Sequence, residues 1–123
     1  MAAPDIVNVT SIIGKTVHDT DVATTDATLV DFVGTDKVFK INTIIAANID
    51  GTNDADISVW VAESNGAARF YLAKTVTVPA DSSLVVISKD TSFYLEEDRS
   101  LRAFASASSD IQIMCSYEEM DDA

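Results

Sequence analysis

A chain of 123 residues with 20 Asp and Glu against 8 Lys and Arg, formally −12 at neutral pH, is repelled by the phosphates of nucleic acid and by an anionic membrane surface. A basic partner or a divalent cation would be favoured instead. An apolar content of 47% supplies a full core, so one domain over residues 1–123 is expected, with a short flexible start (1–5) and a solvated acidic tail (118–123).

Cys115 has no partner within the chain, which excludes an intrachain disulfide. Ile113, Met114 and Tyr117 around it mark a buried, inert thiol. The opening MAAPDIVNV lacks the basic and apolar regions of a signal peptide, and no apolar run nears the ~20 residues of a membrane span. Synthesis in the cytoplasm is therefore expected.

In chain order, Ile6 to Ile13 reads as a first strand whose better core face is Val7, Val9, Ser11 and Ile13. Gly14 closes it, and a short second strand follows from Lys15 to His18. His18 is the only histidine, and a lone histidine is an exposed structural residue before it is a metal ligand. Thr28 to Val33 is a third strand. Val38 to Ile49 is a fourth, long enough to cross a whole sheet and to bend midway, with Phe39, Ile41, Thr43, Ile45, Ala47 and Ile49 on one face. Its Val, Ile, Thr and Asn content and missing cap argue against a helix.

Asp50 to Asp56 forms a turn, after which Ile57, Val59 and Val61 alternate with Ser58, Trp60 and Ala62. The sequence Glu63-Ser64-Asn65-Gly66 then makes a hairpin turn, and Ala67 to Val78 returns. Pro79 marks the end of that strand. The runs Leu84–Ser88 and Ser100–Ala107 flank an acidic corner, Tyr94 to Asp98. A final strand alternates Ile111, Ile113, Cys115 and Tyr117 with polar residues. Seven to nine short strands at spacings of roughly 10 residues give an all-β fold, an antiparallel β-sandwich of Greek-key or jelly-roll form.

Few arrangements carry chemistry. Asp50, Asn53, Asp54 and Asp56 offer oxygen ligands for calcium, although their spacing departs from the EF-hand loop and an ordinary polar turn is the preferred reading. Glu96 and Glu97 are adjacent in an extended segment, so they point apart and cannot act as paired acid and base. One histidine and few glycines leave neither a nucleophilic triad nor a phosphate loop, and no cofactor is implied. Trp60 falls on the face opposite Ile57, Val59 and Val61, which makes it exposed or a subunit contact. With Tyr71 and Phe70 it could form a sugar-stacking platform, and core or interface packing is the preferred role.

Several segments resemble a family of small virion structural proteins of tailed bacteriophages, of the type found in phages of marine bacteria and cyanobacteria. They are Val38-Phe39-Lys40-Ile41-Asn42-Thr43-Ile44, Ala47-Asn48-Ile49-Asp50-Gly51-Thr52-Asn53, Val78-Pro79-Ala80-Asp81-Ser82-Ser83-Leu84-Val85-Val86, Tyr94-Leu95-Glu96-Glu97, Ser100-Leu101-Arg102 and Ser116-Tyr117-Glu118-Glu119. The family pattern prefers Gly-Asp after the paired glutamates, where this chain has Asp98-Arg99; Asp tolerates a left-handed turn better than most residues. The resemblance implies a non-enzymatic component of a virion without cofactor, homo-oligomeric, with other virion proteins as partners. A head decoration or cement protein on the major capsid protein is the expectation. Neck, tail or fibre placement and a receptor- or glycan-binding module are the alternatives. Glu96, Glu97 and Asp98 join Trp60 and Tyr71 as expected contact residues.

Overall fold

The computed structural model describes residues 6–63 and 68–122. The expected flexible start at 1–5 and the Asn65-Gly66 turn lie outside these residues. Among the described residues nine strands form two antiparallel sheets, and the only helical segment is a 3-10 turn at Lys89–Thr91. The first sheet runs β1 (Ser11–Asp19), β9 (Ile111–Asp121), β3 (Lys37–Asn48), β6 (Ser83–Ile87), with β7 (Phe93–Leu95) also on β3. The second runs β2 (Ala27–Val30), β8 (Ser100–Ala105), β4 (Ala55–Ala62), β5 (Arg69–Val78).

The pairings nest. β1 lies on β9, β2 on β8, β3 on β6 and β7, and β4 on β5. Because β6 meets Ile44–Ala47 and β7 meets Phe39–Ile41 along one edge of β3, the two act as one strand broken by the 3-10 turn. This is a long hairpin folded over on itself, which is the jelly-roll form of the expected β-sandwich. Ile41, Ile44, Ile57, Val59, Leu101 and Ile111 fill the space between the sheets, each fully buried.

Several boundaries and faces differ from expectation. The two short N-terminal strands are one, β1, which runs through Gly14 because β9 offers an unbroken ladder from Ile113 to Asp121. The expected core face is wrong there: β1 is an edge strand, and Val7 and Ile13 are exposed at 85% and 47%. β3 does bend midway. The register against β9 slips between Ile41 and Thr43, so the inward set changes from Phe39 and Ile41 to Ile44 and Ala46. One extra residue in a strand moves everything after it to the other face. Ile45, Ala47 and Ile49 are thereby turned away from the core. β2 stops at Val30, although Val33 in the following loop is buried.

The acidic end is not a free tail. Glu118, Glu119, Met120 and Asp121 belong to β9, and Glu119 is nearly buried, with Lys15 Nζ at 3.2 Å and Lys37 Nζ at 3.8 Å.

Candidate functional site

The acidic corner after β7 is clipped to its surroundings. Arg99 donates to Glu96 Oε2 at 2.6 Å and, through Nε, to Glu63 Oε2 at 3.4 Å. Glu97 takes a different partner, accepting the backbone N–H of Asp36 at 2.9 Å. The two glutamates thus diverge as expected. Asp98 adopts φ 64°, the left-handed turn a glycine would supply, while its N–H reaches Val33 O. Beside this corner a cavity of about 220 Å3 is lined by Val61, Phe70, Phe93, Tyr94 and Leu95, with Glu63 and Arg99 as its charged residues. Phe70 is 70% exposed and Tyr94 46%.

The outer face of the second sheet carries aromatic and basic side chains. Ile57, Val59, Leu101 and Ala103 point into the core, so Trp60 on β4 and Arg102 and Phe104 on β8 point out. Trp60 is nonetheless fully buried. The Arg69 guanidinium lies 4.2 Å above its ring, and Tyr71 and Phe104 pack against it at 5.7 and 5.6 Å. Of the two readings of Trp60, exposed or packed, the packed one describes its burial: facing away from the core is not the same as facing solvent when long neighbours fold across. Its Nε1–H has no acceptor. Lys74 lies over Tyr71 and Arg102 over Phe32, at 5.2 and 5.4 Å. Periodicity could place these residues on one face, but register alone reveals which cation covers which ring.

Of the calcium candidates, Asp50 and Asn53 are joined, Asn53 Nδ2 donating to Asp50 Oδ2 at 3.3 Å, while Asp54 and Asp56 take other partners. Asp50 Oδ1 accepts from the N–H groups of Thr52 and Asn53, which hold its carboxyl below the usual range. Asp54 accepts from Ala80 N–H, and Asp56, on β4 rather than in the turn, accepts from the Thr77 hydroxyl. No three metal-ligating side chains converge among the described residues. At this end of the sandwich Asp110 stands close to Asp50 and Asp21. Partial desolvation, and then the charges of Asp50 and Asp21, push its carboxyl upward. Buried Asn48 ties the loop down: Nδ2 donates to the carbonyls of Asn53 and Val78, both at 2.9 Å, and Oδ1 accepts from Asp50 N–H.

The outer face of the first sheet is nearly uncharged. His18, Met114, Ile45 and Val85 form one row across its strands, and the pocket of about 280 Å3 there is lined by His18, Ile45, Gln112 and Met114 among others. Lys40 and Glu118 stand opposite one another in a neighbouring row. Cys115 faces inward and burial pushes its thiol up to about 12, as befits an inert residue.

No protein-family model and no curated protein matches the chain by sequence. Among solved structures, a protein of Bacillus endospore appendages, which form disulfide-linked pili, superposes with a TM-score of 0.52 at 16% identity, over 92% of this chain and 90% of that one. A pentameric capsid protein from metagenomic phage sequences gives 0.42 at 16% identity, over 86% of this chain and 61% of that one. The Drosophila NLP core, a pentameric histone-binding protein, gives 0.46 at 11%, over 87% and 96%. At such identities the appendage protein shows a shared fold and nothing more.

Proposed function

We propose that the protein is a non-enzymatic structural component of a bacteriophage virion, a head decoration or cement protein seated on the major capsid protein lattice. The observation that carries this reading is where the phage-like segments fall. They build β3, the turn and strand Val78–Val86, the end of β7 with its corner, the start of β8 and the end of β9. These are the pieces that close the jelly roll and orient its loops, as a structural role requires. The strong acidic charge suits a protein that stays soluble at high copy number until it meets its partners. Quantitative mass spectrometry of purified particles tests placement: a fixed, high ratio to the major capsid protein is expected. A few copies per particle would move the protein to the neck, tail or fibres.

The cavity beside the corner favours one second reading, a glycan-binding module. Exposed Phe70 and Tyr94 offer stacking faces, and Arg99 and Glu63 offer hydrogen bonds. Glycan-array binding lost on Phe70→Ala or Tyr94→Ala would establish it. Trp60→Ala is the wrong test, because that ring is covered.

A further inference from the structure

We infer that the outer face of the β2-β8-β4-β5 sheet is a docking surface for the carboxylate-rich loop end of a second copy of this chain, with Arg69 and Lys74 meeting its Asp21, Asp50 and Asp110. With 20 acidic residues against 8 basic ones, a surface cation in this protein has carboxylates in excess to choose from. Lys15, Lys37, Arg99 and Arg102 each take one. Among the described residues Lys40, Arg69, Lys74 and Lys89 form no such pair, and of these four Arg69 and Lys74 rest on the rings of Trp60 and Tyr71, side by side on one face. The Arg69 Nη1 donates to the Tyr71 hydroxyl at 3.2 Å, and stacking fixes the guanidinium flat with its remaining N–H groups at the edge, pre-organised for a planar carboxylate.

The complementary surface is on the same molecule but cannot reach this face. Asp21, Asp50 and Asp110 belong to the β1–β2, β3–β4 and β8–β9 loops, gathered at one end of the sandwich. Crowded like charges there are relieved by an incoming cation. A side-to-end contact joins two different surfaces, so it is heterologous and repeats into rings or filaments rather than stopping at a two-fold dimer. A second copy is the occupant favoured by charge, since every copy carries the clustered loop-end carboxylates, whereas Asp56 on this face is already bound by the Thr77 hydroxyl. The inference concerns the purified chain and does not rest on a place in a virion.

Sedimentation velocity of the full chain over a concentration series, at about 50 mM and about 500 mM salt, tests it. Association beyond a dimer is expected at the lower salt and is lost at the higher. Lys74→Glu, an exposed side chain, and Asp110→Lys, in a loop, should each weaken association by about tenfold or more. Mixing the two variants should restore it, because each reversed face then meets a complementary end. Unchanged Trp60 fluorescence confirms that both variants are folded. A chain that stays monomeric at the lower salt, association unmoved by either reversal, or binding of polyglutamate without self-association would overturn the inference.

Discussion

Asn48 is the residue on which the carboxylate end of the sandwich depends most directly, and Asn48→Ala puts that dependence to measurement. The side chain makes three hydrogen bonds at 2.9 Å and is 2% exposed. Each is worth about 1 kcal/mol, and groups left buried without a partner, such as the carbonyl of fully buried Val78, add roughly 1 kcal/mol more. The expected cost is therefore about 3–4 kcal/mol, a large share of the ~5–15 kcal/mol that holds a domain together. Urea unfolding followed by the fluorescence of Trp60, the single tryptophan, reads it directly. Asn42→Ala is the control, since half-buried Asn42 makes one 3.2 Å bond to Glu118 and should cost about 1 kcal/mol or less. Asn48→Asp sharpens the test, for its carboxylate would face two carbonyl oxygens; its cost should shrink as pH falls and the acid regains a donor. Equal costs for Asn48→Ala and Asn42→Ala would refute the reasoning.

Three further outcomes are expected. Asp98→Gly keeps the backbone bond to Val33 and removes the side-chain cost of φ 64°, so stability should rise by about 0.5–1 kcal/mol in the same unfolding assay. Trp60→Ala should cost about 3–5 kcal/mol as a buried aromatic, and in the native protein acrylamide should quench Trp60 poorly until urea unfolds the chain. Cys115 should resist thiol reagents at mildly alkaline pH in the native state. Its folded pKa of about 12 stands above the thiol's ordinary 9.0, so the unfolded chain sheds this proton first. The resulting stabilisation is full below pH 9 and is lost as pH rises towards 12.

What the sequence discloses depends on whether a signal is local. Alternation in Ile57–Ala62 and in Ile111–Tyr117, and turn chemistry at Pro79 and Asp98, depend on residues close in the chain, and those elements stand where they were read. The β3 face change was hidden because a bulge is a fact about register against β9, more than seventy residues away along the chain at Thr43–Ser116. The fusion of two expected strands into β1 has the same origin, since Gly14 is held by its distant neighbour Glu118. Trp60 shows a third kind of limit. Period-two alternation assigned its face correctly, but its burial is set by Arg69, Tyr71 and Phe104, which reach it only after β5 and β8 are in place.

The nested pairing of the jelly roll also sorts charge, and that sorting connects fold to function. Apart from the 3-10 turn that interrupts the β6–β7 edge, the described connections between strands lie at one end or the other of the sandwich. A chain that places Asp in its turns, where Asp is favoured for its own hydrogen bonds, therefore gathers carboxylates at the ends: Asp21, Asp50, Asp81 and Asp110 at one, Asp36, Glu96 and Asp98 at the other. The two sheet faces are left comparatively free of negative charge. On the first, Lys40 and Glu118 oppose one another amid Thr16, Ser116, Thr43 and Met114; on the second, Arg69 and Lys74 lie on aromatic rings. Copies carrying a formal charge of −12 repel end to end, and close approach is least opposed where a face meets an end or another face. A molecule built this way is repelled in bulk solution yet can pack by its sides.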